Sequence, residues 1–136
     1  MLKKAEKIIK KEKWDNIELI EADITKFKDK LDKIADVGVC TLGMSIIPDY
    51  RSAYYNLLSN VKEQGEIIIG DMQLASGWLT RLKTKLTIFL AKKYGGTYEG
   101  HQNTLELYSM MKKELVDVKK REFLLKSYFY AIGKKK

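Results

Sequence analysis

Two short apolar runs, separated by a segment with helical periodicity, constrain the fold of this chain more than any other feature. Residues 37–42 and 67–69 are almost entirely apolar and have the length of strands. Such runs are typical of strands that are buried on both faces, as in a parallel sheet. Between them, apolar residues from Ala53 to Val61 recur at helical spacing. The order strand, helix, strand therefore predicts a parallel β-α-β unit.

The rest of the sequence extends this alternation. Its periodicities predict helices over residues 2–13, 77–93 and 104–114, and strands over 17–20, 116–125 and 128–132. We therefore expect one α/β domain over residues 1–136, with a mainly parallel sheet that ends in an antiparallel hairpin.

Glycine, proline and polar residues predict where the helices begin and end. Pro48 is expected to start the helix between the two apolar runs, because its missing N–H is one that a first turn leaves unpaired. Gly65 is expected to end the same helix. Asn103 or Thr104 is expected to cap the last helix.

Composition excludes several classes of protein. Hydrophobic residues make up 45% of the 136 residues and charged residues 32%, which indicates a packed domain rather than a disordered chain. No apolar run reaches the length of a membrane-spanning helix, and the start of the sequence has no signal-peptide pattern. Cys40 is the only cysteine and His101 the only histidine, so we expect a buried thiol, no metal site and a reducing, cytoplasmic location.

The net charge of +8 would suit nucleic acid, an anionic membrane surface or an acidic substrate. Many of the lysines, however, lie near the two ends of the sequence, where solvated faces or tails explain them. The tyrosines are distributed along the chain, and no strand face is expected to interleave them with basic residues. A nucleic-acid partner is therefore not expected from the sequence.

Two segments resemble the central part of a class I S-adenosylmethionine-dependent methyltransferase. They read LGMSIIPDY over residues 42–50 and KEQGEIIIGD over residues 62–71. In that family a strand end passes the cofactor, a helix follows, and a turn leads into the next buried strand. The turn at residues 62–65 lacks the family's proline. The resemblance implies a Rossmann-like methyltransferase fold with S-adenosylmethionine as cofactor.

The resemblance also implies a cofactor site at two strand ends. Asp23 would accept a hydrogen bond from the adenine amino group, although an aspartate after a strand caps the next helix about as often. The residues on either side of Asp23 would flank the adenine, and the next strand end would line the methionine part. The implied cofactor-binding set is Ala22, Asp23, Ile24, Leu42, Gly43 and Met44.

The resemblance is greatest to phospholipid and quinone methyltransferases, which implies a small-molecule or lipid acceptor. The helix predicted over residues 77–93 has a basic face and an apolar stripe, so it would either contact a membrane surface or cover the substrate pocket as a lid. Tyr98 and His101, expected in the following loop, are the candidate substrate contacts. No catalytic residue is predicted, because methyl transfer depends mainly on positioning.

This sequence has no counterpart of the family's first strand or of its glycine-rich turn. It also lacks the second strand, which in the family ends in a ribose-binding acid. In that fold the two strands lie between the segments at residues 17–22 and 37–42, so we expect a gap in the sheet. A fragment of a longer product explains this best; an amino-terminal partner chain, a swapped homodimer or a rearranged sheet are the alternatives. The isolated chain is expected to be inactive. An inactive partner subunit and a basic nucleic-acid-binding module are the alternative functions.

Overall fold

A computed structural model describes residues 2–27, 34–73, 98–123 and 126–136 of the chain. Seven elements lie in these ranges. In chain order they are α1 (Leu2–Glu12), β1 (Ala35–Thr41), α2 (Tyr50–Ser59), β2 (Val61–Met72), α3 (Tyr98–Glu114), β3 (Leu115–Phe123) and β4 (Tyr128–Lys135). None of the helices in the described ranges is long and apolar enough to cross a membrane.

The strands form one four-stranded sheet in the order β1-β2-β4-β3. β1 and β2 are parallel, as the two apolar runs predict, with Val39 opposite Ile68. β4 is antiparallel to both of its neighbours, β2 and β3, so the sheet is mixed. The α/β class, the parallel unit and the final antiparallel hairpin are thereby confirmed. The expectation of a mainly parallel sheet is not met among the described strands, because two of their three pairings are antiparallel.

The core lies between one face of the sheet and helices α2 and α3. Alternate residues of the central strands point into it, because successive side chains of a strand face opposite sides. Ile67 and Ile69 of β2 and Phe129 and Ala131 of β4 are each 0% exposed. The helices contribute buried residues to the same cluster: Ala53, Tyr54, Leu58, Leu107 and Met111. This packing explains the helical spacing found between the apolar runs.

The other face of the sheet is far more open. Val37 and Val39 of β1 are 45% and 58% exposed, and Phe123 of β3 is 44% exposed. β1 lies at the end of the sheet and pairs with β2 alone among the described strands. β3 lies at the other end and pairs with β4 alone among the described strands. Both edges of the sheet and one of its faces are therefore available for further contacts.

The predicted strand at residues 17–20 is wrong. These residues have no strand conformation, and Ile17 and Leu19 are 43% and 39% exposed. A strand is stabilised by a hydrogen-bonded neighbour, and none of the described strands pairs with this segment. The apolar alternation is present, but the pairing that would make it a strand is not.

Three predicted helix boundaries also differ. Helix α2 is capped by Asp49, whose Oδ1 accepts the Ser52 N–H at 3.1 Å, rather than started directly by Pro48. It ends before Gly65, which lies within β2. Helix α3 begins at Tyr98, so neither Asn103 nor Thr104 caps it. The helix predicted over residues 77–93 lies outside the described residues.

Candidate functional site

The candidate site is built around the turn at the carboxyl end of β1. Leu42 follows the strand with φ of 53°, a left-handed conformation that is uncommon for leucine. Its N–H donates to the Gly70 carbonyl at 2.8 Å, and the Gly43 carbonyl accepts the Ile46 N–H at 3.1 Å and the Ile47 N–H at 3.2 Å. The turn is thereby fixed to β2, while the Leu42 side chain stays 54% exposed.

Asp71, at the end of β2, stabilises this turn through a hydrogen bond to its backbone. It is 0% exposed, and its Oδ2 accepts the Ser45 N–H at 2.9 Å while its Oδ1 accepts the Met72 N–H at 2.7 Å. Hydrogen bonds of this kind make a buried carboxylate tolerable. No role was predicted for Asp71 from the sequence. An acidic residue directly after a buried strand was the available signal.

Cys40 lies beneath the same turn, and its surroundings argue against a reactive thiol. Burial raises the pKa of the Cys40 thiol, and the Asp71 carboxylate raises it further, outweighing the hydrogen bonds from the Met44 and Gly43 backbone. A raised pKa keeps the sulfur protonated, and the thiolate is the nucleophilic form. This agrees with the predicted structural role of Cys40.

Asp23 forms a local turn that leaves part of its carboxylate available. Its Oδ1 accepts both the Thr25 N–H at 2.9 Å and the Thr25 hydroxyl at 2.8 Å. These two bonds hold the pKa of Asp23 below its usual range. No hydrogen bond reaches Oδ2 from any residue in the described ranges, and the residue is exposed. Asp23 is therefore an ionised acceptor that faces solvent.

Helix α2 positions the segment that carries Asp23. The Asn56 side chain donates from Nδ2 to the Ile24 carbonyl at 2.8 Å, and Ile24 packs against the core. The Asp23 carboxylate is near enough to Asp49, the cap of α2, to oppose the lowering of the Asp49 pKa by Ser52. Because the turn after β1 leads directly into α2, this helix connects the two predicted halves of the cofactor site.

The predicted cofactor-binding residues differ in how accessible they are. Ala22 and Leu42 are exposed, and Gly43 is half-buried. Met44, in contrast, is 1% exposed and belongs to the core cluster, so it supports the turn from inside.

The two predicted substrate contacts are not in a loop. Tyr98 and His101 lie in the first turns of α3, so the predicted loop is wrong at these positions. The structure does not describe the side chains of these two residues. The expectation failed because the apolar spacing that marks α3 becomes regular only after Thr104.

A polar network around the buried side chain of Gln73 lies at the end of β2. Gln73 is 3% exposed; its Nε2 donates to Glu122 Oε1 at 2.7 Å and its Oε1 accepts from Lys120 Nζ at 2.7 Å. Lys120 Nζ also lies 4.8 Å from the centre of the Tyr108 ring. The hydrogen bond from Gln73, followed by that from Lys120, lowers the pKa of Glu122. These hydrogen bonds connect the end of β2 to β3.

A turn at the carboxyl end of a parallel strand, beside a helix start, is where α/β proteins bind ligands. Comparison with protein families identifies which α/β class this is. Residues 1–118 match the family described as Methyltransferase domain. The chain belongs to this methyltransferase family, and the family predicted from residues 42–50 and 62–71 is confirmed.

Solved structures of methyltransferases have the same fold. An rRNA methylase from Streptococcus thermophilus superposes with a TM-score of 0.66 at 13% identity over 98% of this chain and 66% of that one. The N-methyltransferase NodS from Bradyrhizobium japonicum, in complex with S-adenosylhomocysteine, gives 0.65 at 14% over 99% and 63%. An O-methyltransferase family protein from Burkholderia thailandensis gives 0.71 at 18% over 96% and 40%.

The chain thus spans less than two thirds of the length of these three structures. At these identities the likeness concerns the fold alone. A comparison with curated protein sequences gives no match.

Proposed function

We propose that this chain supplies the adenine and methionine contacts of an S-adenosylmethionine-dependent methyltransferase. The observation that carries the proposal is the solvent-facing Oδ2 of Asp23, on a segment that α2 ties to the exposed turn at Leu42. The family match and the neighbour with bound S-adenosylhomocysteine support the cofactor class.

The residues fit this cofactor by chemical type. Asp23 offers an ionised acceptor to the adenine amino group, and Ala22 and Ile24 offer apolar surface to the ring. Leu42 and Gly43 border the methionine part, while Met44 supports them from the core. When bound, S-adenosylmethionine supplies a methyl group on a sulfonium that a nucleophile attacks in line. The chain's own contribution is orientation and exclusion of water, which suffice for much of the rate.

The acceptor we propose is a small molecule or a lipid, methylated by a cytoplasmic protein that contacts the membrane surface. This rests on the resemblance to phospholipid and quinone methyltransferases and on the basic, amphipathic pattern of residues 77–93. Tyr98 and His101 remain the proposed substrate contacts, because the amino-terminal end of α3 follows that segment.

Calorimetric titration of the chain with S-adenosylhomocysteine tests the cofactor site. The sharpest variant is Asp23→Asn. Its side-chain oxygen can still accept from Thr25, but it replaces Oδ2 with an N–H donor facing the adenine amino group. We expect the variant to stay folded and to bind about tenfold more weakly, since an unmatched polar group costs about 1–3 kcal/mol.

Asp36→Asn is the matched control. Asp36 is also an exposed aspartate, but it lies at the opposite end of β1 and pairs with Lys62. Equal losses in the two variants would contradict the site. A folded wild-type chain that does not bind would contradict an independent cofactor site and indicate the incomplete half of an enzyme. Tight association with a methyltransferase subunit would instead favour the inactive partner subunit.

Transfer of labelled methyl groups tests the acceptor. A cell extract is incubated with labelled S-adenosylmethionine and with the chain, produced together with an amino-terminal segment that supplies the glycine-rich turn. The extract is then separated into lipid, small-molecule and nucleic-acid fractions. We expect the label in one of the first two, and less of it with Asp23→Asn. Label confined to nucleic acid would contradict the proposed acceptor.

We infer further that the open edge of β1 takes up an added strand from an amino-terminal partner chain, another part of the enzyme or a second copy. Val37, Val39 and the adjoining Ile34 are 45%, 58% and 66% exposed. Beside them lies a groove of about 210 Å³ with a largely apolar lining that includes Ile24 and Phe27. An apolar groove along an unpaired edge suits an extended apolar segment.

Light scattering tests pairing with a second copy. We expect a dimer that Val39→Lys converts to a monomer, because a charge at an edge opposes strand pairing. Val116→Lys, the same change at a 38% exposed valine of β3, is the control. A wild-type monomer would contradict self-pairing, and a dimer that both variants retain would place its interface elsewhere.

A further inference from the structure

The hairpin of β3 and β4 gathers three aromatic rings on the open face of the sheet. Phe123 lies opposite Tyr128 and Arg121 lies opposite Tyr130, and opposite residues of antiparallel strands share a face. The Phe123 and Tyr130 rings stack with centroids 5.7 Å apart and planes at 21°. The Phe123 and Tyr128 rings have centroids 6.5 Å apart. We call these three rings the aromatic platform.

Because Gly70 has no side chain, the Tyr128 ring of the platform can extend over β2. A Cβ atom at Gly70 would lie 2.6 Å from the Tyr128 hydroxyl, so the Tyr128 phenol occupies the space that a side chain would need. Gly70 pairs in register with Tyr130 and Thr41. The platform therefore reaches from β3 across β4 to the middle of the sheet, near the end of β1.

The platform is not part of the core. Phe129, between the two tyrosines in sequence, points to the opposite face and is 0% exposed, whereas Phe123 is 44% exposed. Tyr128 and Tyr130 are partly exposed. Cross-strand pairing explains why rings stabilise a hairpin. Cross-strand pairing alone does not explain why the large apolar ring of Phe123 stays 44% exposed to water.

Basic residues share this face with the rings. Arg121 pairs in register with Tyr130, Lys119 precedes it on the same face, and both are exposed. Arg121 forms no ion pair with any residue of the described ranges. The neighbouring acid, Glu122, points to the covered face and bonds Gln73. Two further acids, Glu66 and Asp117, lie towards the other end of the strands, around a groove with Lys119 and Lys134.

On the open face of the sheet the tyrosines of the hairpin lie beside basic residues, because the register brings Arg121 of β3 next to Tyr130 of β4. Sequence spacing within one strand does not reveal this, since rings and cations come from different strands.

We infer that the aromatic platform binds single-stranded nucleic acid. Partly exposed aromatic rings on the face of a sheet offer stacking positions for bases, and neighbouring cations attract the phosphates. The net charge of +8 adds a long-range attraction. A duplex hides its base faces, and a lipid interface needs apolar volume rather than ring faces. This binding surface goes beyond the proposed methyl transfer and does not depend on it.

Fluorescence anisotropy with a labelled oligouridylate of about twelve nucleotides tests the inference, in the absence of cofactor. We expect saturable binding that weakens between about 50 and about 200 mM salt. Phe123→Ala and Phe123→Leu should each weaken binding by about tenfold, because both remove the stacking ring. Tyr130→Ala should do the same.

Two controls separate stacking from general attraction. Tyr55→Ala removes an aromatic ring that is 46% exposed on α2, and Lys10→Gln removes a charge on α1. Neither should change affinity by more than about twofold. Circular dichroism confirms that each variant is folded.

Several outcomes would overturn the inference. They are absence of binding, equal affinity for a duplex of the same length, or binding that only salt and Lys10→Gln affect. Phe123→Leu with wild-type affinity would point to a plain apolar contact. Stronger binding to phosphatidylserine-containing vesicles than to the oligonucleotide, lost in Phe123→Ala, would assign the platform to a membrane.

Discussion

The two faces of one sheet differ more than any other two regions of this molecule. On the face under α2 and α3, Ile67 and Phe129 are 0% exposed. On the other face of the same sheet, Val39 and Phe123 are 58% and 44% exposed. Both faces carry large apolar side chains, so the presence of apolar residues does not distinguish them. The helices do.

This difference separates what folds the chain from what the chain can bind. Burial of apolar surface stabilises a fold only where water is excluded, at roughly 25 cal/mol per Å². The covered face therefore supplies most of the stability. The open face and the β1 edge keep apolar groups in water, and contacts made there stabilise an assembly.

The strongest test of this comparison uses two phenylalanines of one hairpin. Phe129→Ala removes a fully buried ring and should lower the free energy of unfolding by about 3–5 kcal/mol. Phe123→Ala, on the open face, should lower it by about 1 kcal/mol or less, the size of a cross-strand pair. Urea denaturation of both variants measures the difference. Equal losses would mean that the open face is covered in solution.

Asp71 tests whether the candidate site depends on the covered face. Asp71→Ala leaves the buried Ser45 N–H without its acceptor, which should cost about 1–3 kcal/mol and release the turn at Leu42. Asp71→Asn retains one acceptor oxygen and should cost less. Denaturation gives the first effect and the affinity for S-adenosylhomocysteine the second. Unchanged affinity in a folded Asp71→Ala chain would show that Asp71 does not organise the site.

Two glycines of β2 sharpen the comparison further. A Cβ at Gly65 would lie 2.8 Å from the Asp36 carbonyl oxygen and 2.9 Å from that of Lys62, so Gly65→Ala should cost about 1–3 kcal/mol. At Gly70 the Cβ would meet the end of the Tyr128 side chain, which can turn away. Gly70→Ala should therefore cost less but weaken oligonucleotide binding. The reverse order of stabilities would contradict the placement of Tyr128.

The smallest expected effect is a pH dependence from the covered face. Gln73 and Lys120 lower the pKa of Glu122, so its contribution is present above the unfolded value of about 4.3 and is lost as the pH falls through the lower folded value. Melting temperatures at about pH 6 and about pH 3 should differ less in Glu122→Gln than in the wild type. Glu18→Gln, at an exposed position, is the control and should leave the difference unchanged.

Sequence reasoning was successful for the parallel pair of strands. The expectation that both apolar runs are buried on both faces is wrong for β1, because Val37 and Val39 are 45% and 58% exposed. The runs at residues 37–42 and 67–69 are strands because both lie in the parallel pair, and the helical spacing between them forms α2. It failed at residues 17–20, where a strand needs a neighbour that no local pattern can supply. It also failed at Gly65, because a glycine signals close backbone approach as well as a helix end.

The site was predictable only in part. A resemblance pointed to Asp23 and Leu42, and the structure leaves both accessible. It also pointed to Met44, which is buried, because the turn after β1 directs that side chain into the core. Asp71 and the aromatic platform depend on contacts between distant strands, so their roles are visible only in the register of the sheet.

The unpaired edge of β1 also bears on whether this polypeptide stays in solution at high concentration. A strand with an unpaired edge and exposed apolar side chains can pair with identical copies, and repeated pairing leads to aggregation. The nearest charged side chain on β1 is Asp36, which is engaged by Lys62 and so repels an incoming copy weakly. We expect the chain overproduced alone to assemble beyond the dimer as its concentration rises, and to assemble less when its complementing strand is made with it.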